Sequence, residues 1–336
     1  MTVKITIIGL GQIGASMGLA LANHKEHVTT LGHDKSPENA RKAQKLGAIE
    51  SISYNLPASV EGADVIVLAI PFDAIYETLK FIAQDIREDA VVMDTGPVKS
   101  VVADWVKELL PSKRHYIGLT PALNPSYLED RLHGLTAARA DLFQHGVIAV
   151  TAPQGTPEEA HKLAADLVLM LGSQPYFADQ AEVDGLMASA YFLPGISAAA
   201  LVETVTSQPG WSDIRKMAGR YFSTATQPLE GEESTTLAEA IMHNRTNSIR
   251  ILDAYITTLS SLRKDIAEEN TKSLTARLVE SHMRHAQWQL ERAQGDWLSV
   301  EAGRPEMPKV GDIWRQQIGG LGKLFGGHEK KKHEDV

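Results

Sequence analysis

Lys4-Ile5-Thr6-Ile7-Ile8-Gly9-Leu10-Gly11-Gln12-Ile13-Gly14-Ala15-Ser16-Met17 is the stretch whose reading decides the fold. Ile5 to Ile8, Thr6 apart, are β-branched and apolar, as a strand buried on both faces requires. Gly9-Leu10-Gly11-Gln12-Ile13-Gly14 then spells G-x-G-x-x-G, and a helix-like run follows from Ala15 to Ala22. Each glycine answers a separate need. Gly9 permits the tight turn, Gly11 lets a pyrophosphate approach the backbone, and Gly14 lets helix pack close on strand. Gln12 and Ile13 lie at the head of that helix, where free N–H groups and the helix dipole favour an anion.

The context strengthens the motif. A second apolar segment, His27 to Gly32, ends at His33-Asp34, about 20 residues past the last glycine, where a ribose-binding carboxylate belongs. Asp34 is able to accept from both ribose hydroxyls and repels a 2′-phosphate, which favours NAD over NADP; Lys35 and Ser36 beside it temper that preference.

Outward from this unit, the pattern repeats. Ser36-Pro37-Glu38 reads as a helix start and Gly47 as its stop. Ala63 to Pro71 is a buried strand, followed by a helix from Ala74 to Ile86. Ala90 to Asp94 is the next strand, then the turn Thr95-Gly96-Pro97 and a helix from Lys99 to Leu110. Strands at His115–Leu119 and Gly146–Val150, a helix from Pro157 to Leu171 and a short segment from Gln174 to Phe177 complete the series. Strands alternating with helices predict an α/β Rossmann-type doubly wound, mostly parallel sheet. From about Glu182 no β-rich run appears, and stretches from Ser197, Ser234 and Asn270 read as helices. Leu237, Ile241, Asn244, Ser248, Ile251, Leu252, Tyr255, Leu259 and Leu262 form a stripe at helical spacing. The expected domains are therefore a nucleotide-binding domain at 1–180, an all-α substrate and dimerisation domain at 181–300, and a flexible tail at 301–336.

Bulk properties bound the function. The chain of 336 residues is long for one core. A net charge of −9 argues against nucleic acid or an anionic membrane as main partner. The absence of cysteine removes disulfides, thiolate metal sites and thiol nucleophiles. A core strand starts almost at the first residue, leaving no room for a signal peptide, so the cytoplasm is the expected location. Gly185 to Val202 carries no charge over about 18 residues, the lower limit for a membrane span. It includes Pro194 and Gly195 and is closed by Asp184 and Glu203, which fits a buried helix better than a spanning one. His282 and His285 lie one helical turn apart but have no third ligand, so no metal is assigned. The apolar residues of the tail, from Val310 to Phe325, suit docking to a partner or a membrane surface, against Gly pairs that weaken a helix.

Beyond the first glycines, the chain resembles the prephenate/arogenate dehydrogenase family from about residue 3 to 265. Gly9 to Ser16 is similar to the family's opening, and Leu68-Ala69-Ile70-Pro71-Phe72-Asp73-Ala74-Ile75 to its third-strand segment, where Ile70 and Pro71 line the cofactor. Asp94-Thr95-Gly96-Pro97-Val98-Lys99-Ser100 resembles its D-x-x-S-V-K turn, placing Thr95 and Gly96 at the cofactor too. Leu142-Phe143 and Asn244-Arg245 also match. The resemblance implies hydride transfer from a cyclohexadienol carboxylate to NAD(P)⁺ with loss of CO₂, as in tyrosine biosynthesis.

The resemblance breaks at the acid–base residues. The family's H-P-x-x-G histidine falls on Thr120 and the turn's serine on Pro97. Its E-H-D segment becomes Glu182-Val183-Asp184, and its S-H-L-P-H segment Tyr191-Phe192-Leu193-Pro194-Gly195. A threonine hydroxyl is too weak an acid to act as base near neutral pH. The candidate catalytic set is then Thr120 and Lys99, with Arg215 and Lys216 (and Arg220) as cations for a carboxylate. Three readings follow: a prephenate-type dehydrogenase with relocated acid–base chemistry, a dehydrogenase or reductase on another small substrate, and an NAD-binding regulatory or scaffold protein without turnover.

Overall fold

The computed structural model describes residues 2–231 and 233–295; the tail expected at 301–336 lies outside the described residues. The described residues up to Arg277 form one compact unit, and those from Leu278 to 295 fall in a second. The first unit opens with the β/α series. In chain order it holds β1 (Val3–Ile8), α1 (Gln12–Leu21), β2 (Val28–His33), α2 (Pro37–Lys45), β3 (Ser51–Ile52), α3 (Leu56–Val60), β4 (Val65–Leu68) and α4 (Ile75–Ile82). There follow β5 (Val91–Asp94), α5 (Lys99–Leu109), β6 (His115–Pro121), β7 (Val147–Thr151), α6 (Glu158–Met170) and β8 (Gln174–Phe177). The remainder is helical: α7 (Gln180–Met187), α8 (Leu193–Thr206), α9 (Trp211–Met217), α10 (Arg220–Thr226), α11 (Ser234–His243), α12 (Arg245–Ala267) and α13 (Thr271–Gln294).

The eight strands stand in the order β3-β2-β1-β4-β5-β6-β7-β8, and every pairing is parallel except β6 with β7. The order reverses between β1 and β4, which makes the switch point where open α/β sheets bind ligands. Strand alternation divides the core into two layers. Ile5, Ile7, Val65, Val67, Val91, Met93, Ile117 and Leu119 face one side, with residues of α1, α2 and α6. Ile8, Ile66, Leu68, Val92 and Tyr116 face the other, with residues of α4 and α5. The second layer continues into the helical part through Ala188, Phe192 and Ala240. Thr6, the polar exception in β1, is buried and donates to the Ser59 carbonyl at 2.6 Å.

Helix starts follow their capping chemistry. Ser36 accepts from the Asn39 amide with Pro37 in the first turn of α2, and Gly47 closes the turn after it at φ +80°. Two expected boundaries are corrected. The helix after β4 begins at Ile75, because Phe72–Ala74 form a 3₁₀ turn, and it ends at Ile82, short of Ile86. The helix expected from Ser197 is part of a continuous one from Gln180 to Thr206. A π-helical turn over Ala188–Phe192 joins α7 to α8, just before Pro194. Proline lacks an N–H and crowds the preceding turn, and a widened turn accommodates both.

Among the described residues, Gln180–Thr206 is the helix long and apolar enough to cross a membrane by length and composition alone. Its inner face is committed to protein. Asp184, Ala188, Phe192, Gly195 and Ala198 are buried at helical spacing, and Asp184 is hydrogen-bonded to α5. The stripe along α11 and α12 is buried at Asn244 and Ser248 and half-covered at Ile251 and Leu252, and it emerges at Leu259.

Candidate functional site

The glycine turn lies at the switch point, between β1 and α1. Gly9 adopts φ +90°, and a Cβ there would meet the Ala69 carbonyl oxygen at 2.3 Å. A Cβ on Gly14 would lie 2.0 Å from the Gly9 carbonyl oxygen, so α1 sits directly against the turn. Gly11 contrasts with both, since nothing lies within 4 Å of the position its Cβ would take. That open space borders the N-terminus of α1, where Gly11 caps the helix without a side chain. Gln12 and Ile13 form the first turn. The cradle thus fits a pyrophosphate held by main-chain N–H groups.

Asp34, one residue past β2, bridges to this turn. Its Oδ2 accepts from the Leu10 amide at 2.8 Å and its Oδ1 from the Ser36 amide at 2.8 Å. A carboxylate offers about four acceptor sites, so lone pairs remain for two ribose hydroxyls. Across the switch point, Ile70 and Pro71 follow β4 and Thr95 and Gly96 follow β5. Ile70 packs against Gly9, and the Thr95 amide donates to the Leu68 carbonyl at 3.1 Å. All ten cofactor candidates (Gly9, Gly11, Gln12, Ile13, Gly14, Asp34, Ile70, Pro71, Thr95, Gly96) therefore stand at the carboxyl ends of β1, β2, β4 and β5.

Behind Gly96 lies a buried polar cluster. Asp94, the last residue of β5, accepts on Oδ2 from the Gly96 amide at 2.7 Å and from Lys99 Nζ at 2.8 Å. Its Oδ1 accepts from the Tyr116 hydroxyl at 2.6 Å. The Lys99 and Asp94 side chains are both 0% exposed. Burial pulls the Lys99 ammonium below the ordinary lysine value, against the opposing pull of Asp94 and Asp184. Burial, then the Asp94 charge, pushes the Tyr116 phenol well above its ordinary value.

Asp184 of α7 completes the cluster from 85 residues away. Its carboxylate accepts from the Lys99 amide at 2.6 Å and the Ser100 amide at 3.2 Å. It therefore caps α5, whose own N-cap residue, Val98, has no side-chain acceptor. Asn244 holds this arrangement by donating to the Asp184 carbonyl at 2.7 Å. The sequence pattern singled out Lys99 and the turn around Asp94 but not Tyr116 or the capping role of Asp184. The available signals were a tyrosine two residues before Gly118 in an apolar strand and an acid opening an uncharged run.

Thr120 lies near the end of β6. Tyr116, Gly118 and Thr120 alternate onto the same face as the Lys99 cluster. The Thr120 Oγ is buried and has no hydrogen-bond partner among the described residues, and the same holds for Thr151 Oγ on β7. Arg215 and Lys216 lie instead on exposed α9. Lys216 pairs with Asp213 at 2.7 Å, and Arg215 donates to the Ser212 carbonyl at 3.4 Å. Among the described residues no group of three or more metal-ligating side chains converges.

Comparison with known proteins agrees with this geometry. The family model for the prephenate dehydrogenase nucleotide-binding domain matches residues 17–176. The chain is 25% identical over 274 residues to the prephenate dehydrogenase of Bacillus subtilis (strain 168), covering 80% of this chain and 72% of that one. It is 26% identical over 279 residues to the cyclohexadienyl dehydrogenase of Zymomonas mobilis, covering 82% of this chain and 93% of the other. Its fold is that of the prephenate dehydrogenase from A. aeolicus solved with hydroxyphenyl propionate and NAD⁺. The TM-score is 0.75 at 21% identity, over 85% of this chain and 98% of that one. The glycine turn, the switch-point crevice and the matched sequence lead to one conclusion: residues 17–176 match the prephenate dehydrogenase nucleotide-binding domain, and the chain is similar to prephenate and cyclohexadienyl dehydrogenases over about four fifths of its length.

Proposed function

We propose that the protein is an NAD-dependent oxidoreductase that takes hydride from a small, carboxylate-bearing cyclohexadienol of the prephenate or arogenate type. The observation that carries the reading is the pairing of the open face over Gly11 with the Asp34 carboxylate, held beside it by the Leu10 amide. An acid in that place favours NAD over NADP by accepting from the ribose and opposing a 2′-phosphate. When bound, the nicotinamide supplies the hydride acceptor. This chain's part is to hold the dinucleotide, orient the alcohol against it and take up a proton.

Thr120 supports a second reading. If it stands where relatives carry a histidine, the site suits another small alcohol or an imine, or binds the dinucleotide without turnover. Formation of NADH on adding prephenate or arogenate to protein and NAD⁺ supports the first reading. Absence of NADH with both compounds, with the cofactor still bound, favours the second.

The assembly we propose is a cytoplasmic homodimer through the helical part. The outer face of Gln180–Thr206 and Ile249, Ile256 and Leu259 of α12 are uncovered within the chain, apolar surface that a second copy would remove from water. We place the functional division at residue 180, where β8 gives way to α7 within one compact unit. Sedimentation at a monomer's mass overturns the dimer.

A further inference from the structure

The described residues leave open where a substrate proton goes. Thr120 is no base, and oxidation of an alcohol releases the hydroxyl proton as well as the hydride. One face of β6 offers a route. A Cβ placed on Gly118 would lie 2.5 Å from Thr151 Oγ, 2.7 Å from Lys99 Cδ and 3.0 Å from the Tyr116 hydroxyl. Glycine here opens the space in which the lysine chain, a hydroxyl and the phenol converge. Thr151 stands opposite Gly118 in the antiparallel register, and Thr120, opposite Ala149, lies two pairs further along on the same face.

Buried hydroxyls are ordinarily hydrogen-bonded. Thr120 Oγ and Thr151 Oγ are two of the three buried side-chain polar atoms without a partner among the described residues. Each has a donor and two acceptor sites to offer a water or a substrate oxygen. Lys99 Nζ gives hydrogen bonds to Asp94 Oδ2 and, at 3.3 Å, to the Asp94 carbonyl. A neutral amine gives both of its N–H groups to those acceptors and keeps its lone pair for a third direction.

We propose that Lys99, reached from the crevice through the Thr120 and Thr151 hydroxyls, takes up the proton released when the substrate alcohol is oxidised. This rests on the dehydrogenase reading above. The carbinol C–H bond breaks with its electron pair passing to the oxidised nicotinamide. The O–H bond breaks, its electron pair forms the new C=O bond, and its proton passes along the hydroxyls and a water between them to the free amine of Lys99. The resulting ammonium rests on Asp94 and returns its proton along the same route after product leaves. Lys99 is thus a positioning and proton-holding residue behind Thr120. The charged and titratable groups around it are Asp94 from β5, Tyr116 from β6 and Asp184 from α7. Burial favours the neutral amine that the route needs.

The test is a ¹³C NMR titration of the lysine-labelled full chain without substrate, with Lys99 assigned through Lys99→Arg. Lys99 is expected to lose its proton at lower pH than the other lysines. In Tyr116→Phe, Asp94 no longer shares its charge with the phenol and holds the ammonium more tightly, so the Lys99 titration moves up by about half a unit to one unit. The acidic limb of the kcat/KM profile for the turned-over alcohol should follow the same value and the same displacement. Thr120→Val should lower kcat about 100-fold with NAD⁺ affinity retained. A Lys99 titrating with the surface lysines, or a limb that Tyr116→Phe leaves in place, overturns the proposal even if prephenate is turned over. A low-titrating Lys99 in a protein inert toward prephenate and arogenate refutes the substrate reading instead.

Discussion

Adding one methyl group to the glycine turn should have opposite consequences at Gly11 and Gly14. At Gly14 the new Cβ would lie 2.0 Å from the Gly9 carbonyl oxygen, 3.0 Å from the Ala69 Cβ and 3.1 Å from an Ile7 methyl. Two of those neighbours are buried strand or turn, so α1 must move off β1. Overpacking of this kind costs about 1–3 kcal/mol, which for a unit of this size lowers Tm by about 3–10 °C. At Gly11 the methyl meets nothing within 4 Å, and the backbone φ of −79° suits alanine. Loss of a favourable N-cap residue and gain from a stiffer unfolded chain are both below about 1 kcal/mol, so Tm should hardly change. The methyl does occupy the space assigned to the pyrophosphate. The same overpacking, now against the ligand, weakens NAD⁺ binding by about 5- to 150-fold. Thermal unfolding and NAD⁺ calorimetry on the two variants separate these effects. A Gly11→Ala protein that binds NAD⁺ with unchanged affinity refutes the assignment of that space, and a Gly14→Ala protein of unchanged Tm refutes the packing argument.

Asp34→Asn keeps an acceptor for the Leu10 amide but loses the charge, so the ratio of NAD to NADP affinities should fall; an unchanged ratio means another residue reads the ribose. Asp184→Ala leaves the Lys99 and Ser100 amides without their acceptor, and urea unfolding should show a loss of about 1–3 kcal/mol. Lys99→Met strands the Asp94 carboxylate among buried groups and should cost about 3–5 kcal/mol, the largest loss among these variants. Tyr116 sets a pH limit. Its folded pKa lies well above its unfolded one, so its contribution is complete below about pH 10 and is lost as pH rises above that, where the unfolded phenol ionises and the folded one does not. Tyr116→Phe should be less stable than wild type at neutral pH, by about 1.5–3 kcal/mol for the hydrogen bond to a carboxylate. Its deficit should shrink above pH 10, and a constant deficit would contradict the burial argument.

Local chemistry made the first half of the fold legible. Apolar β-branched runs marked β1, β4 and β5. The three glycines marked the turn, and Asp34 was placed by its distance from Gly14. Ser36, Pro37 and Gly47 bounded α2 through capping alone. What escaped has no local signature. β3 is two residues long and is defined by its partner β2 rather than by its own pattern. The antiparallel direction of β7 is not encoded in periodicity, which reads the same both ways. The continuation of α7 into α8 depends on a widened turn that admits Pro194 inside a helix, where a sequence rule ends one. The polar cluster was the hardest part to see. Tyr116 and Asp184 become meaningful only when folding brings them to Asp94 and the start of α5, across 22 and 85 residues. Thr120 was visible as a departure from the family's pattern, but its unpartnered hydroxyl beside the Lys99 cluster emerged from the strand pairing.

The crevice between β1 and β4 is assigned to a nicotinamide dinucleotide, and direct calorimetric titration of the full chain with NAD⁺ tests that assignment. One saturable site per chain, weakened in Gly11→Ala while that variant remains folded, is the result expected from the geometry of the glycine turn and Asp34. A folded wild-type protein that takes up no NAD⁺, or binds it unchanged in Gly11→Ala, would contradict that assignment.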